Sequence, residues 1–302
     1  MKIFVSGLLN VETTVAVRGF PIEYYPIDYS FFGINSNVSG VGYNIAKALK
    51  TLGDEVNLVS FLGGDEEGRR VVSQLEADEI SSVNISFSLK NTPVSAVLFD
   101  NEGRRQIYCD LKDIQERSAN PEKYTDELKS CDIAAICNIN FNRELIKRAK
   151  KLGTLTATDV HVLSDVNDEY NRDFMENADI LFLSDENLPC EAESFIRQIY
   201  KRFHNKIIAL GMGDKGAMLF MGDQDKLFEV PAYKSGKIIN TIGAGDALFS
   251  AFLHYYAKGL SAEKALEKAV VFAGIKIGFN GASLGFSTEK EIDDIINRNS
   301  AK

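Results

Sequence analysis

The chain has 302 residues, 45% hydrophobic and 25% charged, values ordinary for a folded globular protein and foreign to a disordered or collagenous one. That length suits one large α/β unit carrying a small appendage. Lysine and arginine total 34 against 43 aspartates and glutamates, a net charge of -9, which offers no basic footprint for nucleic acid or an anionic membrane.

The opening segment MKIFVSGLL holds one lysine and an apolar run that is too short and wrongly flanked for a secretory signal, so it reads as a buried first strand. No stretch approaches the roughly eighteen uncharged apolar residues that cross a bilayer. The longest candidate, Val270 to Phe279, is broken by Lys276. The expected location is therefore the cytoplasm. Cys109, Cys131, Cys137 and Cys190 have no C-x-x-C spacing, and with only three histidines neither a zinc site nor a redox pair is indicated. The thiols read as structural.

Along the chain, short runs rich in Val, Ile, Leu and Phe alternate with helical periodicities, the pattern of βαβ units around a mostly parallel sheet. Ile3–Ser6 is the first predicted strand. Val11 to Asn37 then breaks the rhythm with Phe20, Tyr24, Tyr25, Tyr29, Phe31 and Phe32 beside Pro21 and Pro26, and reads as a β-rich insertion. In Val41 to Leu52 the apolar Val41, Ile45, Leu49 and Leu52 recur at helical spacing, with Gly53 as a stop. Val56–Phe61 is a strand. Pro93 to Cys109 alternates polar and apolar residues around Asn101-Glu102-Gly103, a hairpin turn. The two insertions, about residues 11–38 and 92–112, are expected to form a small lid sheet inserted in a single domain spanning 1–302. Their aromatic residues either pack within the lid or an interface, or stack on a bound ring. Further predicted strands are Ile133–Ile136, Thr154–Thr158, Ile180–Leu183, Ile207–Leu210 and Ala217–Phe220. There is no internal repeat and no low-complexity tract.

The most informative stretch is Asn240-Thr241-Ile242-Gly243-Ala244-Gly245-Asp246, after which Leu248, Ala251, Phe252 and Tyr255 fall at helical spacing. A helix is expected to begin near Gly245 and to stop at Gly259. Small residues at 243–245 leave bare N–H groups at a helix N-terminus, where unsatisfied donors and the helix dipole favour an anion. Asp246 in the first turn has two readings. It compensates the dipole, worth under about 1 kcal/mol, or it is a general base that takes the proton of an acceptor hydroxyl while the turn cradles a phosphoryl group.

Other features lean toward the second reading. Ser39-Gly40-Val41-Gly42-Tyr43-Asn44 is another Gly-rich turn opening a helix, with Asn44 available to a polyol. Asn10 and Glu12 share one face of an extended segment. Leu210-Gly211-Met212-Gly213-Asp214-Lys215-Gly216-Ala217 links two predicted strands, either as a plain hairpin or as a loop that a nucleotide can approach closely.

On these motifs the chain resembles the ribokinase-like (PfkB) carbohydrate kinases over essentially its whole length. Asn240 to Asp246 is similar to that family's D-T-x-G-A-G-D signature, and Ser39 to Gly53 to its G-G-x-x-x-N-x-A…L-G signature. The resemblance implies a three-layer α/β/α core with a mostly parallel sheet and a β lid. It also implies ATP-dependent phosphoryl transfer to a sugar hydroxyl. Asp246 would be the base, and the N–H groups of Gly243, Ala244 and Gly245 the anion hole. Asn10, Glu12, Gly40, Gly42 and Asn44 would face the acceptor, while Gly213, Gly216, Thr241, Gly281 and Ala282 would flank the nucleotide.

Three departures stand out. Asn240 replaces the usual Asp and leaves open the monovalent-cation site associated with that region. Ser184-Asp185-Glu186-Asn187 stands where an N-x-x-E that organises Mg²⁺ is usual, with Glu186 as the substitute. Glu12 replaces an acceptor-binding Asp. The acceptor is a sugar or, as the alternative within the family, a nucleoside. Arg18, Arg104 and Arg105 would serve a phosphate-bearing acceptor or be plain surface charge. A catalytically weakened binding or regulatory protein is the alternative of another class. A dinucleotide-dependent oxidoreductase is disfavoured, because Gly7-Leu8-Leu9-Asn10 gives no G-x-G-x-x-G turn. Edge strands and aromatic area in the lid suggest a homodimer formed lid to lid.

Overall fold

The computed structural model describes residues 1–234, 236 and 238–300. In chain order the elements begin β1 (Lys2–Ser6), β2 (Asn10–Ala16), β3 (Ile34–Ser39), α1 (Val41–Thr51), β4 (Glu55–Gly63), α2 (Glu66–Ala77), β5 (Ile85–Leu89), β6 (Val94–Phe99) and β7 (Arg105–Asp110). They continue with α3 (Thr125–Ser130), β8 (Ile133–Ile136), α4 (Arg143–Lys151), β9 (Thr156–Val162), α5 (Arg172–Asn177), β10 (Ile180–Ser184), α6 (Ala192–Phe203) and β11 (Ile207–Gly211). Last come β12 (Ala217–Met221), β13 (Lys226–Val230), α7 (Ala244–Ala257), α8 (Ala262–Lys276) and α9 (Glu289–Ser300).

A nine-stranded sheet runs β13-β12-β11-β10-β9-β8-β1-β4-β5. It is parallel from β5 to β11, and β12 and β13 add antiparallel at one edge. Alternation along each strand decides which helix layer its side chains meet. Ile3, Val5, Ile133, Ala135, Ile180 and Phe182 pack toward α1, α2, α7, α8 and α9. Phe4, Ala134, Ile136, Leu181 and Leu183 pack toward α3, α4, α5 and α6. The expected three-layer α/β/α architecture is therefore what the sheet builds.

From β1 the chain moves outward to β4 and β5, and later returns to lay β8 on the other side of β1. The strand order thus reverses between β1 and β8, and the crevice beyond the carboxyl ends of such strands is where open α/β sheets bind ligands.

The second sheet has four strands in the order β3-β2-β6-β7. Asn101 to Gly103 make the turn between β6 and β7, as the alternation predicted. The first insertion is β-structured only at its two ends. Residues 17–33 form neither strand nor helix, since Pro21 and Pro26 have no N–H to give a ladder. Nor do most of those aromatics pack into the lid: Tyr24, Phe31 and Phe32 are 88%, 85% and 100% exposed, and only Phe20 is half-buried, under the Arg104 guanidinium.

Most predicted strands match to within a residue or two at each end, but other differences are larger. The strand predicted at Thr154–Thr158 begins at Thr156 and runs on to Val162, because the N–H of Thr154 is spent on the carbonyl of Ala149 in closing α4. β5 and β13 were not predicted. Both are sheet edges with exposed positions, so they lack the continuous apolar run of a buried parallel strand.

Candidate active site

The site gathers at the sheet reversal. Beyond the end of β1, Gly7 packs against the start of α1 so closely that a Cβ on Gly42 would lie 2.6 Å from the carbonyl carbon of Gly7. Only glycine at 42 lets the N-terminus of α1 reach the strand ends. One turn on, Asn44 is buried and its Nδ2 donates to Oδ2 of Asp246 at 2.7 Å. Asp246 lies in the first turn of α7, 202 residues away.

α7 starts from Gly243, whose φ is +74° and whose Cβ, were there one, would meet the Ala282 carbonyl oxygen at 2.4 Å. Ala244 is a partial exception to the expected anion hole, for its N–H already bonds the Thr241 carbonyl. The N–H groups of Gly243 and Gly245 have no partner among the described residues. They remain at a helix N-terminus, ready for an anion.

Burial pushes the Asp246 carboxyl above the usual aspartate range. His161 and the Asn44 amide pull it down, Asp159 pushes it further up, and Lys276 pulls it down. A buried carboxylate that holds its proton more tightly than usual is a stronger base when ionised, which suits proton abstraction from a hydroxyl.

The residues expected to face the acceptor arrive from the lid. Asn10 and Glu12 open β2 on one face, both buried. Asn10 Nδ2 donates to Ser95 Oγ on β6 at 2.9 Å. Burial raises the Glu12 carboxyl, the Ser39 hydroxyl lowers it, Asp246 raises it and Lys276 lowers it, so Glu12 sits within the field of the same cluster. Oδ1 of Asn10 and Oδ1 of Asn44 are buried with no partner among the described residues. Buried polar atoms are ordinarily satisfied, so both carbonyl oxygens have capacity to accept from a hydroxyl-bearing ligand.

A cavity of about 130 Å³ opens at the crevice, lined by Leu8, Val41, Leu111, Cys137, Ile139 and Tyr170 with the amides of Gln115 and Asn138. Gly40 is the N-cap of α1 beside this opening.

The lid covers the cradle. Val97 of β6 packs with Ile242 and Ala282, Ser283 Oγ donates to the Val38 carbonyl, and Arg105 of β7 donates to Thr241 Oγ1 at 3.1 Å. Arg18 is engaged by Asp28, and Arg104 by Asp100 and Glu102. Arg105 alone of those three reaches the site.

Gly213 and Gly216 lie in the link of the β11–β12 hairpin, while Gly281 and Ala282 are buried against the cradle. Glu186 is exposed in the loop after β10, and that loop is tied to the end of β11 by the Asp185 N–H on the Gly211 carbonyl. Among the described residues no group of three or more His, Cys, Asp or Glu side chains could hold a metal ion. A monovalent metal ion does not fit at 240–242. The Ile242 carbonyl accepts from the Lys276 ammonium, and the neutral Asn240 spends Oδ1 on the Ile242 N–H.

Sequence reading missed Asp159, His161 and Lys276. The first two lie in the part of β9 that runs on beyond the predicted Thr154–Thr158, toward the strand end where such sheets carry ligand-facing residues. Lys276 shows in the sequence as the lone charge in an apolar run, a signal that bars a membrane span but does not reveal a contact 34 residues away. Indeed no helix among the described residues is long and apolar enough to cross a membrane.

The architecture defines a class: a three-layer α/β kinase fold with a β lid over a Gly-rich helix start. The pfkB family carbohydrate kinase pattern matches residues 2–289, and this chain belongs to that family, phosphotransferases with a hydroxyl acceptor. A deoxyribokinase of Salmonella typhi is 23% identical over 99% of this chain and 100% of its own. Among solved structures, a microbiome-derived acarbose kinase superposes with a TM-score of 0.86 at 21% identity, covering 98% of this chain and 99% of its own. Arabidopsis thaliana ribokinase complexed with ribose and ATP gives 0.79 at 19% identity, covering 97% and 98%. At these identities the structural likenesses carry the fold alone.

Proposed function

We propose that the protein transfers the γ-phosphoryl group of ATP to a hydroxyl of a sugar or sugar-like acceptor, with Asp246 as general base. The observation that carries this is the 2.7 Å bond from Asn44 to Asp246, which joins both signature turns at one carboxylate beside unspent N–H groups. Asn10, Glu12 and Asn44 hold acceptor hydroxyls, and the backbone at Gly40 and Gly42 lets the acceptor approach. Asp246 takes the proton as the hydroxyl oxygen attacks. The N–H groups of Gly243 and Gly245, with the α7 dipole, stabilise the phosphoryl oxygens, and Arg105 of the lid adds charge near them. Gly213, Gly216, Thr241, Gly281 and Ala282 flank the nucleotide. The Glu186 loop would orient the Mg²⁺ carried on the nucleotide phosphates, an ion that would supply charge neutralisation there. Such a reaction belongs where ATP is made available, in the cytoplasm.

A second reading, a nucleoside acceptor, is favoured by the apolar lining of the crevice cavity, where a base would lie flat with Gln115 and Asn138 at its edge. The test is incubation with ATP, Mg²⁺ and separate pools of sugars and nucleosides, followed by mass detection of phosphorylated products. A phosphosugar supports the first reading and a nucleoside monophosphate the second. Absence of any product in either pool, with ATP intact, counts against both.

A further inference from the structure

Lys276, the last residue of α8, is fully buried, and its ammonium donates to the carbonyl of Ile242 in the turn ahead of Gly243. No carboxylate forms an ion pair with it among the described residues. Burying a charge without a paired carboxylate is costly, and a methionine would fill similar space without that cost. A lysine at a helix end has an ordinary role in capping its own last carbonyls. This one instead reaches a segment 34 residues away.

The surroundings make the contact specific. The N–H groups of Ile239 and Asn240 both bond the Ile277 carbonyl, at 2.9 and 3.3 Å. Asn240 Nδ2 donates to Asn280 at 2.8 Å, and its Oδ1 accepts from the Ile242 N–H at 3.2 Å. The end of α8 and the 239–242 turn are thus sewn together, with one positive charge and no carboxylate at the seam. A trans peptide is planar, with its C=O and N–H pointing in opposite directions. An ammonium that holds the Ile242 carbonyl therefore directs the Gly243 N–H the other way, toward the cradle.

We propose that the Lys276 ammonium is the resident cation of the active-site turn, doing from within the chain what a bound monovalent metal ion would do there, so that the turn is ordered without potassium or sodium. Lys276 is a positioning residue: it acts on the phosphoryl-binding donors through the Ile242–Gly243 peptide and touches no substrate. Its charge also offsets those of Asp246 and Glu12, both of which hold its own proton in place, whereas burial and Arg105 draw its pKa down to about 8. The inference rests on the kinase reading for its purpose but not for its test.

The test compares wild type and Lys276→Met in potassium, ammonium and choline chlorides at equal ionic strength. Melting without nucleotide is followed, and so is calorimetric binding of MgADP. Wild type should melt within about 1 °C in all three salts and bind MgADP within about twofold. Lys276→Met should melt lower in choline and bind MgADP about tenfold or more weakly, with potassium or ammonium restoring part of both. A wild-type preference for potassium over choline in melting or binding would overturn the proposal. So would a folded Lys276→Met whose deficits no small cation relieves, the mark of a merely structural lysine. If Lys276→Met does not fold in any salt, the wild-type comparison decides alone. If no form binds MgADP, the kinase reading fails and melting still decides the role of Lys276.

Discussion

At Asp246 one carboxylate answers to a helix N-terminus, an amide from the other signature turn and a buried setting. Asp246→Asn keeps the volume and the hydrogen bond from Asn44 but cannot take a proton. Turnover should fall by roughly two to four orders of magnitude with little change in ATP affinity, as read from single-turnover kinetics and calorimetry. The same burial predicts a pH effect. Because the folded-state pKa is raised, the acid limb of kcat/KM should lie above the ordinary aspartate value of about 3.9, with activity lost as pH falls through it. The linkage runs the other way for stability. A raised carboxyl favours folding most below its unfolded pKa, and that advantage disappears as pH rises through the folded one. Asp246→Asn should therefore melt no lower than wild type at neutral pH, which separates a lost base from a damaged fold.

Glu12 offers a different division. Burial raises its carboxyl and the Ser39 side chain lowers it, and a carboxylate can accept from several ligand hydroxyls at once. Glu12→Gln should weaken acceptor binding by about 1–3 kcal/mol, raising the acceptor KM roughly tenfold or more while the ATP KM stays put. A fall in melting temperature with an unchanged acceptor KM would instead make Glu12 a fastener of the β2–β3 pair.

Among elements, the start of α7 is the least forgiving. Gly243 combines φ +74° with an Ala282 carbonyl 2.4 Å from any added Cβ, so Gly243→Ala must displace either the cradle or the 281–283 loop. It should cost roughly 1–3 kcal/mol of stability and, by moving donors meant for the phosphoryl oxygens, at least about tenfold in turnover. Gly259, after the end of the same helix, has φ +88° but open space around it. Gly259→Ala should lose comparable stability and keep its turnover, so thermal melting and steady-state rates on the pair isolate the cradle's part. Most elements were legible from periodicity: α1 ends one residue before its predicted limit, and β8 matches its prediction at both ends. The edge strands β5 and β13 were not, because strands exposed to water carry mixed residues that a pattern search reads as loop.

For the molecule as a whole, the exposed aromatic stretch between β2 and β3 is the feature a lone subunit leaves unexplained. Tyr24, Tyr29, Phe31 and Phe32, together with Ile107 and Tyr108 of the solvent-facing β7, put apolar area and an unpaired strand edge on one lid. Both are costly in water and are relieved by a second copy. Light scattering at micromolar concentration should give a homodimer, and Phe31→Ser with Phe32→Ser should shift it to monomer. A wild-type monomer under those conditions would leave the lid aromatics without that partner.

The residues alone determined the α/β class, most strands, the lid insertions and the two Gly-rich turns, because those are encoded by local periodicity and by spacing a chain cannot hide. Tertiary structure decided the rest of the site: that Asn44 meets Asp246, that Arg105 reaches Thr241 while Arg18 and Arg104 do not, and that Lys276 lies behind Ile242. Those contacts join segments 34 to 202 residues apart. No periodicity relates such positions; the packing of α1, α7, α8 and the lid around the reversal of strand order brings them together.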